Sequence, residues 1–135
     1  MDISKFAVDS KKQVSLLELR HPISGETLED EKGKKATITL NGPDSDAIKK
    51  VEREYMDRRL KEGIKRKKAH ISVAQIEEQA LEIDVAATVG WSGIEIDGEE
   101  LKFSPAQAKM MYKKFPWIRE QVEEFFNDRS NFMGK

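Results

Sequence analysis

The chain has 135 residues, enough for one compact domain, and carries 24 Lys/Arg against 25 Asp/Glu for a formal net charge of −1. With 38% hydrophobic and 36% charged residues the core is thin and the surface densely charged, and no apolar run reaches the ~18 residues of a membrane-spanning helix. Cysteine is absent, which excludes disulfides and thiolate metal sites and fits a cytosolic protein, and Met1-Asp2-Ile3-Ser4-Lys5 lacks the basic-then-apolar order of a secretory signal.

Residues 1–13 show little periodicity and are expected to form a flexible amino-terminal arm. From Val14 to Leu19 the pattern reads as a strand with Leu17 and Leu19 on one face, and His21-Pro22-Ile23-Ser24-Gly25 is a turn signal. Residues 26–35 are charged and expected to be a mobile loop. Ala36 to Leu40 alternates β-branched residues before Asn41-Gly42 stops it, so a second strand is predicted there. The two strands should pair as an antiparallel ribbon over 14–42, leaning on a helix or a partner subunit because an isolated pair is marginal.

Pro43-Asp44-Ser45-Asp46 opens a helix with acids at its positive end, and Ile48, Val51, Tyr55, Leu60 and Ile64 form its apolar stripe. Asp46 with Lys50, Glu54 with Arg58 and Asp57 with Lys61 each place acid four residues before base, the favoured order on a helix. Gly63 weakens this helix locally, and bases crowd its last turns up to Lys68. Ser72-Val73-Ala74-Gln75 is a capping box. After it Val73, Ile76, Ala80, Ile83 and Ala87 recur at helical spacing, with Leu81, Val85 and Val89 on a neighbouring face. This second helix is expected to close at Gly90 and to be the central, most buried one.

Eight of the ten aromatic residues lie between 91 and 132, so the best-packed layer must come from this stretch. Ile94 and Ile96, then Asp97-Gly98, then Leu101 and Phe103 read as a short hairpin. Ser104-Pro105-Ala106-Gln107 combines a capping serine with proline at the first helical position, starting a helix that runs to about Lys114. Pro116 begins the last helix, with Ile118, Val122, Phe125 and Phe126 on its apolar side and Arg119, Glu120, Glu123 and Glu124 on its wet side. The fold expected is α+β and predominantly helical: a small antiparallel β element near the amino terminus followed by about four helices. One domain spans 14–135, with the β-ribbon at 14–42 and the helical part at 43–133.

Catalytic chemistry has little to work with. The two histidines, His21 and His70, have no second ligand at helical spacing, so no zinc site is expected. Asp97-Gly98-Glu99-Glu100 lacks the spaced oxygen ligands of a calcium loop, and no Gly-rich phosphate loop follows a predicted strand. No catalytic, cofactor or metal residue is assigned, and the chain is not expected to be an enzyme. Charge is patterned, however. Residues 46–70 hold ten Lys/Arg against five Asp/Glu, and 71–90 hold four acids and no base. These blocks are solvated helix faces, neighbours that attract within the fold, or surfaces joining copies in an oligomer.

The ordered set Trp91-Ser92-Gly93-Ile94, Asp97-Gly98, Phe103-Ser104, Phe115-Pro116-Trp117, Gln121-Val122-Glu123-Glu124-Phe125 and Asn131-Phe132 resembles the tail assembly chaperones of long-tailed, lambdoid phages. The preceding order of paired strands, Asn41-Gly42-Pro43-Asp44-Ser45-Asp46, a charged helix and a more apolar helix is similar too, so the likeness covers about residues 35–133. The resemblance implies a non-enzymatic factor in the host cytoplasm that binds the long, helical tape measure protein, helps recruit tail tube subunits and is absent from the virion. It also implies a longer frameshifted form that carries a tail-tube-binding extension, this chain being the short form. Gly134-Lys135 fits a slippery codon run at that junction. The candidate contacts to the tape measure protein are Trp91, Phe103, Tyr112, Phe115, Trp117, Phe125 and Phe126. Those for weak self-association, as an open spiral if the contact is head-to-tail, are Arg58, Arg59, Lys65 and Arg66 with Glu77, Glu78 and Glu82. The alternative is a small phage protein that binds nucleic acid through the basic run Arg58 to Lys68, against which stand the lack of interleaved aromatics and the acidic balance.

Overall fold

A computed structural model describes residues 1–66 and 72–133, without the side chains of 63–66; Lys67, Lys68, His70 and Gly134-Lys135 lie outside the described residues. The strands are β1 (Val14–Glu18), β2 (Thr37–Asn41), β3 (Thr88–Ser92), β4 (Glu95–Ile96) and β5 (Glu99–Glu100). The helices are α1 (Asp46–Arg66), α2 (Val73–Ala87), α3 (Pro105–Lys114) and α4 (Pro116–Asn127), with short 3-10 turns at Ser4–Phe6 and Arg129–Phe132. The fold is therefore the expected α+β one.

β1 and β2 pair antiparallel with Leu17 opposite Ile38, as the alternation dictates. The support they need comes from β3, which pairs antiparallel with the other edge of β2 and makes it the central strand. Ile38 and Leu40 of β2 are fully buried, and Leu17 and Leu19 join them from β1 and the residue after it. Against this face pack Ala108, Met111 and Tyr112 of α3 and Ile118, Val122 and Phe126 of α4.

Three expectations are corrected. The second helix stops at Ala87, not Gly90: Thr88 is already extended, and the β-branched Thr88 and Val89 complete the sheet. Nor is α2 the most buried helix. Its buried residues are Leu81, Asp84 and Ala87, while Val73 is 71% and Ile76 54% exposed, because its first half extends past the sheet and the carboxyl-terminal helices. Residues 26–35 are not bare loop. Bridges join Arg20 to Thr27 and Glu29 to Lys35, and Leu28 donates its amide to the Leu19 carbonyl and accepts from the Ala36 amide while packing on the core.

Local chemistry sets the other boundaries. Ser72 accepts from the Gln75 amide while the Gln75 side chain accepts from the Ser72 amide, closing the capping box. Ser104 accepts from the Gln107 amide, with Pro105 next to it. Between β4 and β5, Asp97 and Gly98 both adopt positive φ, as a tight hairpin turn of this twist requires. α1 runs through Gly63 to Arg66.

Candidate functional site

Among the described residues one concavity is a groove of about 400 Å³. Its apolar floor is built from distant parts of the chain: Leu19 and Leu28, Ile94 ahead of the hairpin, Phe115 at the α3–α4 junction, and Trp117 and Ile118 of α4. Gly93 lets the wall close. Its φ is +71°, and a Cβ there would stand 2.4 Å from the Lys35 carbonyl oxygen, so the hairpin and the 26–35 segment approach more closely than a side chain allows. The rim carries Glu29, Asp30, Glu31 and Glu95. Asp30 is occupied in shaping its own turn, accepting from the amides of Lys32 and Lys34. Among the described residues Glu29, Glu31 and Glu95 take part in no ion pair.

A second surface lies on the α1–α2 hairpin. Its packed seam holds Val51 and Tyr55 against Val85 and Ala86, and Arg58, Glu78 and Glu82 line the same cleft. Arg58 sits 5.0 Å from the centre of the Tyr55 ring, and Arg59 donates to the Gln79 side chain. Burial, with Glu82 next, holds the Tyr55 hydroxyl above its usual range. Of the candidate self-association residues, Arg58, Glu78 and Glu82 thus meet within one chain and Arg59 is held across the same hairpin. Glu77 is exposed, and the side chains of Lys65 and Arg66 lie outside the described residues.

Away from that seam, each helix shows an apolar stripe to solvent. On α1, Lys49, Arg53, Met56 and Leu60 recur at spacings of four, three and four, so they line one outer face; Met56 is 59% and Leu60 60% exposed. On α2, Val73, Ile76 and Ala80 continue the face that further along buries Asp84 and Ala87, so the core-facing stripe overhangs the core.

The candidate client-binding aromatics fall into separate roles. Phe115 and Trp117 line the groove. Tyr112 and Phe126 are buried in the core. Phe125 is half-buried, edge-on to Phe132, which also meets Phe126. Trp91 is half-buried, donates from Nε1 to the Leu101 carbonyl at 2.7 Å and stands edge-on to Phe103.

One polar node went unread in the sequence. The Arg119 Nε–H, on the predicted wet face of α4, donates to Asp84 at 2.8 Å and to Glu123 at 2.9 Å. Asp84 is buried, and burial first, then the neighbouring Glu123, pushes its carboxyl up to about 7 even though Arg119 pulls the other way. The signal was faint: an aspartate on the apolar side of a helix, with no local clue to its partner on α4. His21 serves its turn, its Nδ1 accepting from the amides of Ile23 and Ser24. Among the described residues no cluster of His, Asp or Glu could hold a metal ion, and no helix is long and apolar enough to cross a membrane.

No protein-family model, curated protein or solved structure matches the chain.

Proposed function

We propose that this chain is a non-enzymatic assembly factor of the phage tail, a chaperone that holds the tape measure protein soluble in the host cytoplasm. In this reading it helps bring tail tube subunits to that protein, chiefly through a longer frameshifted form, and leaves before the virion is complete. The observation that carries the reading is the overhang of α2: Val73 and Ile76 stand exposed at helical spacing on a heavily charged helical hairpin. A long helical client offers apolar stripes of the same period, and helix-on-helix packing is how two such stripes are buried together. The surrounding charge keeps the chaperone itself in solution. Weak self-association lets many copies line one client.

Co-expression with a tape measure protein tests this. Wild type should keep that protein soluble. Val73→Ser with Ile76→Ser should melt at the wild-type temperature yet lose the effect, since both residues are exposed. A double variant that solubilises the client as well as wild type does would overturn the assignment of this face. Retention of DNA or RNA in a gel, weakening as salt rises, would favour the nucleic-acid reading instead.

A further inference from the structure

We propose that the acid-rimmed groove is the docking site for a second copy of this chain, which inserts the outer stripe of its α1. The inference rests on the self-association in the reading above and names the surfaces that perform it. The two partners match in both respects that decide an interface. The groove floor is apolar, with Phe115, Trp117 and Ile118, and its volume of about 400 Å³ exceeds that of a methionine and a leucine side chain together. The α1 stripe offers those two, Met56 and Leu60, both mostly exposed. The rim supplies Glu29, Glu31 and Glu95, and the stripe supplies Lys49 and Arg53 in line with the apolar pair. Apolar centre against apolar centre, with opposite charges at the rim, is the ordinary anatomy of a specific contact.

The charges of the α1–α2 seam are less suited to this work, because Arg58 shares its cleft with Glu78 and Glu82 of the same chain. Among the described residues none of α1 or α2 lines the groove, so Met56 and Leu60 do not fill it within their own chain. Groove and stripe are different surfaces, and every copy carries both. Used head-to-tail the contact is heterologous, and repeated addition extends the assembly, as an open array where the rotation does not close a ring. In that array each copy leaves its α2 overhang uncovered by the contact, available to a client.

Sedimentation of the full chain at several concentrations and salts tests the proposal, using two charge-reversed variants, Lys49→Glu with Arg53→Glu and Glu29→Lys with Glu31→Lys. All four positions are exposed or at the rim, and thermal melts check that the variants fold. Wild type should gain mass with concentration and lose it with salt. Each variant alone should associate about tenfold more weakly or less, and an equimolar mixture should associate again, because reversed stripe meets reversed groove. Wild type that stays monomeric at high concentration and low salt overturns self-association as a whole. Wild type and both variants associating equally overturns this docking alone and leaves self-association standing. A mixture no stronger than its parts also overturns it, since complementarity would then not be the cause.

Discussion

The hydroxyls of Tyr112 and Thr88 meet in the core, 2.5 Å apart, where α2 gives way to β3. Thr88 has one hydroxyl proton, and the Asp84 carbonyl 2.8 Å away can only accept, so Thr88 donates there and Tyr112 donates to Thr88. Burial first of all pushes the Tyr112 hydroxyl up to about 12, so it stays protonated as this donor. The chain of hydrogen bonds ties α3 to the helix-to-strand switch.

The direction of donation makes the pair asymmetric. Tyr112→Phe removes a donor and leaves Thr88 still bonded to Asp84, at a cost of about 1 kcal/mol. Thr88→Val keeps the β-branched shape that the strand wants but strands the buried tyrosine hydroxyl without an acceptor, which costs about 1–3 kcal/mol. Urea unfolding of both variants should rank the valine substitution as the more damaging. The reverse ranking would mean that the donation runs the other way.

Asp84 makes stability depend on pH in an unusual sense for an acid. Its carboxyl is raised from 3.8 to about 7 in the folded chain, so the folded state binds this proton more tightly than the unfolded one. Its contribution is therefore complete below about pH 4, is lost as pH climbs to about 7, and is flat beyond. Asp44 works in the opposite direction: Arg129 holds it low, so its contribution is present above its ordinary value of 3.8 and lost as pH falls. The difference between wild type and Asp84→Asn isolates the first effect. Melting temperatures from pH 4 to 8 should show the asparagine variant gaining on wild type across the window. A constant gap would mean that Asp84 is ionised throughout, with Arg119 outweighing burial.

Trp91 and Phe125 are half-buried, each in an edge-to-face pair. Replacing either with alanine should cost about 3 kcal/mol, the low end for large aromatics, because part of each ring already touches water. Trp91→Ala should also free the Leu101 carbonyl and loosen the hairpin beside the groove. Thermal melts check both; a change near zero would make the residue a candidate partner contact instead.

Features fixed by a few adjacent residues were legible in the sequence. Ser72 with Gln75, Ser104 with Pro105, and Asp97-Gly98 each carry their local geometry in residue type, and the β1–β2 alternation sets its own register. Thr88 to Gly90 read as the end of a helix because Val85 and Val89 keep the helical period, while the deciding fact is the free edge of β2, far away in sequence. The same limit hid the groove, whose walls come from segments that no local pattern links. Asp84 and Arg119 are 35 residues apart, and each looked like an ordinary charge on its own helix. The burial of α2 was overestimated because an apolar stripe shows which face is dry only where something is present to cover it, and beyond Ala80 towards Val73 nothing in the described chain does so.

Gly93 and Gly98 separate backbone strain from close approach. Both have positive φ, +71° and +80°, so alanine at either pays the strain of a left-handed residue, about 1–2 kcal/mol. At Gly98 nothing lies within 4 Å of the added Cβ, and the turn can accept it at that cost alone. At Gly93 the Cβ would meet the Lys35 carbonyl oxygen at 2.4 Å and its carbon at 2.8 Å, backbone atoms that cannot swing aside. The hairpin and the 26–35 segment must then part, opening the wall of the groove. Gly93→Ala should accordingly melt well below Gly98→Ala and lose concentration-dependent association even at temperatures where it is folded, whereas Gly98→Ala should keep it. Equal melting of the two variants would show that the wall yields without cost. Association retained in a destabilised Gly93→Ala would mean that the groove is not where a second copy binds.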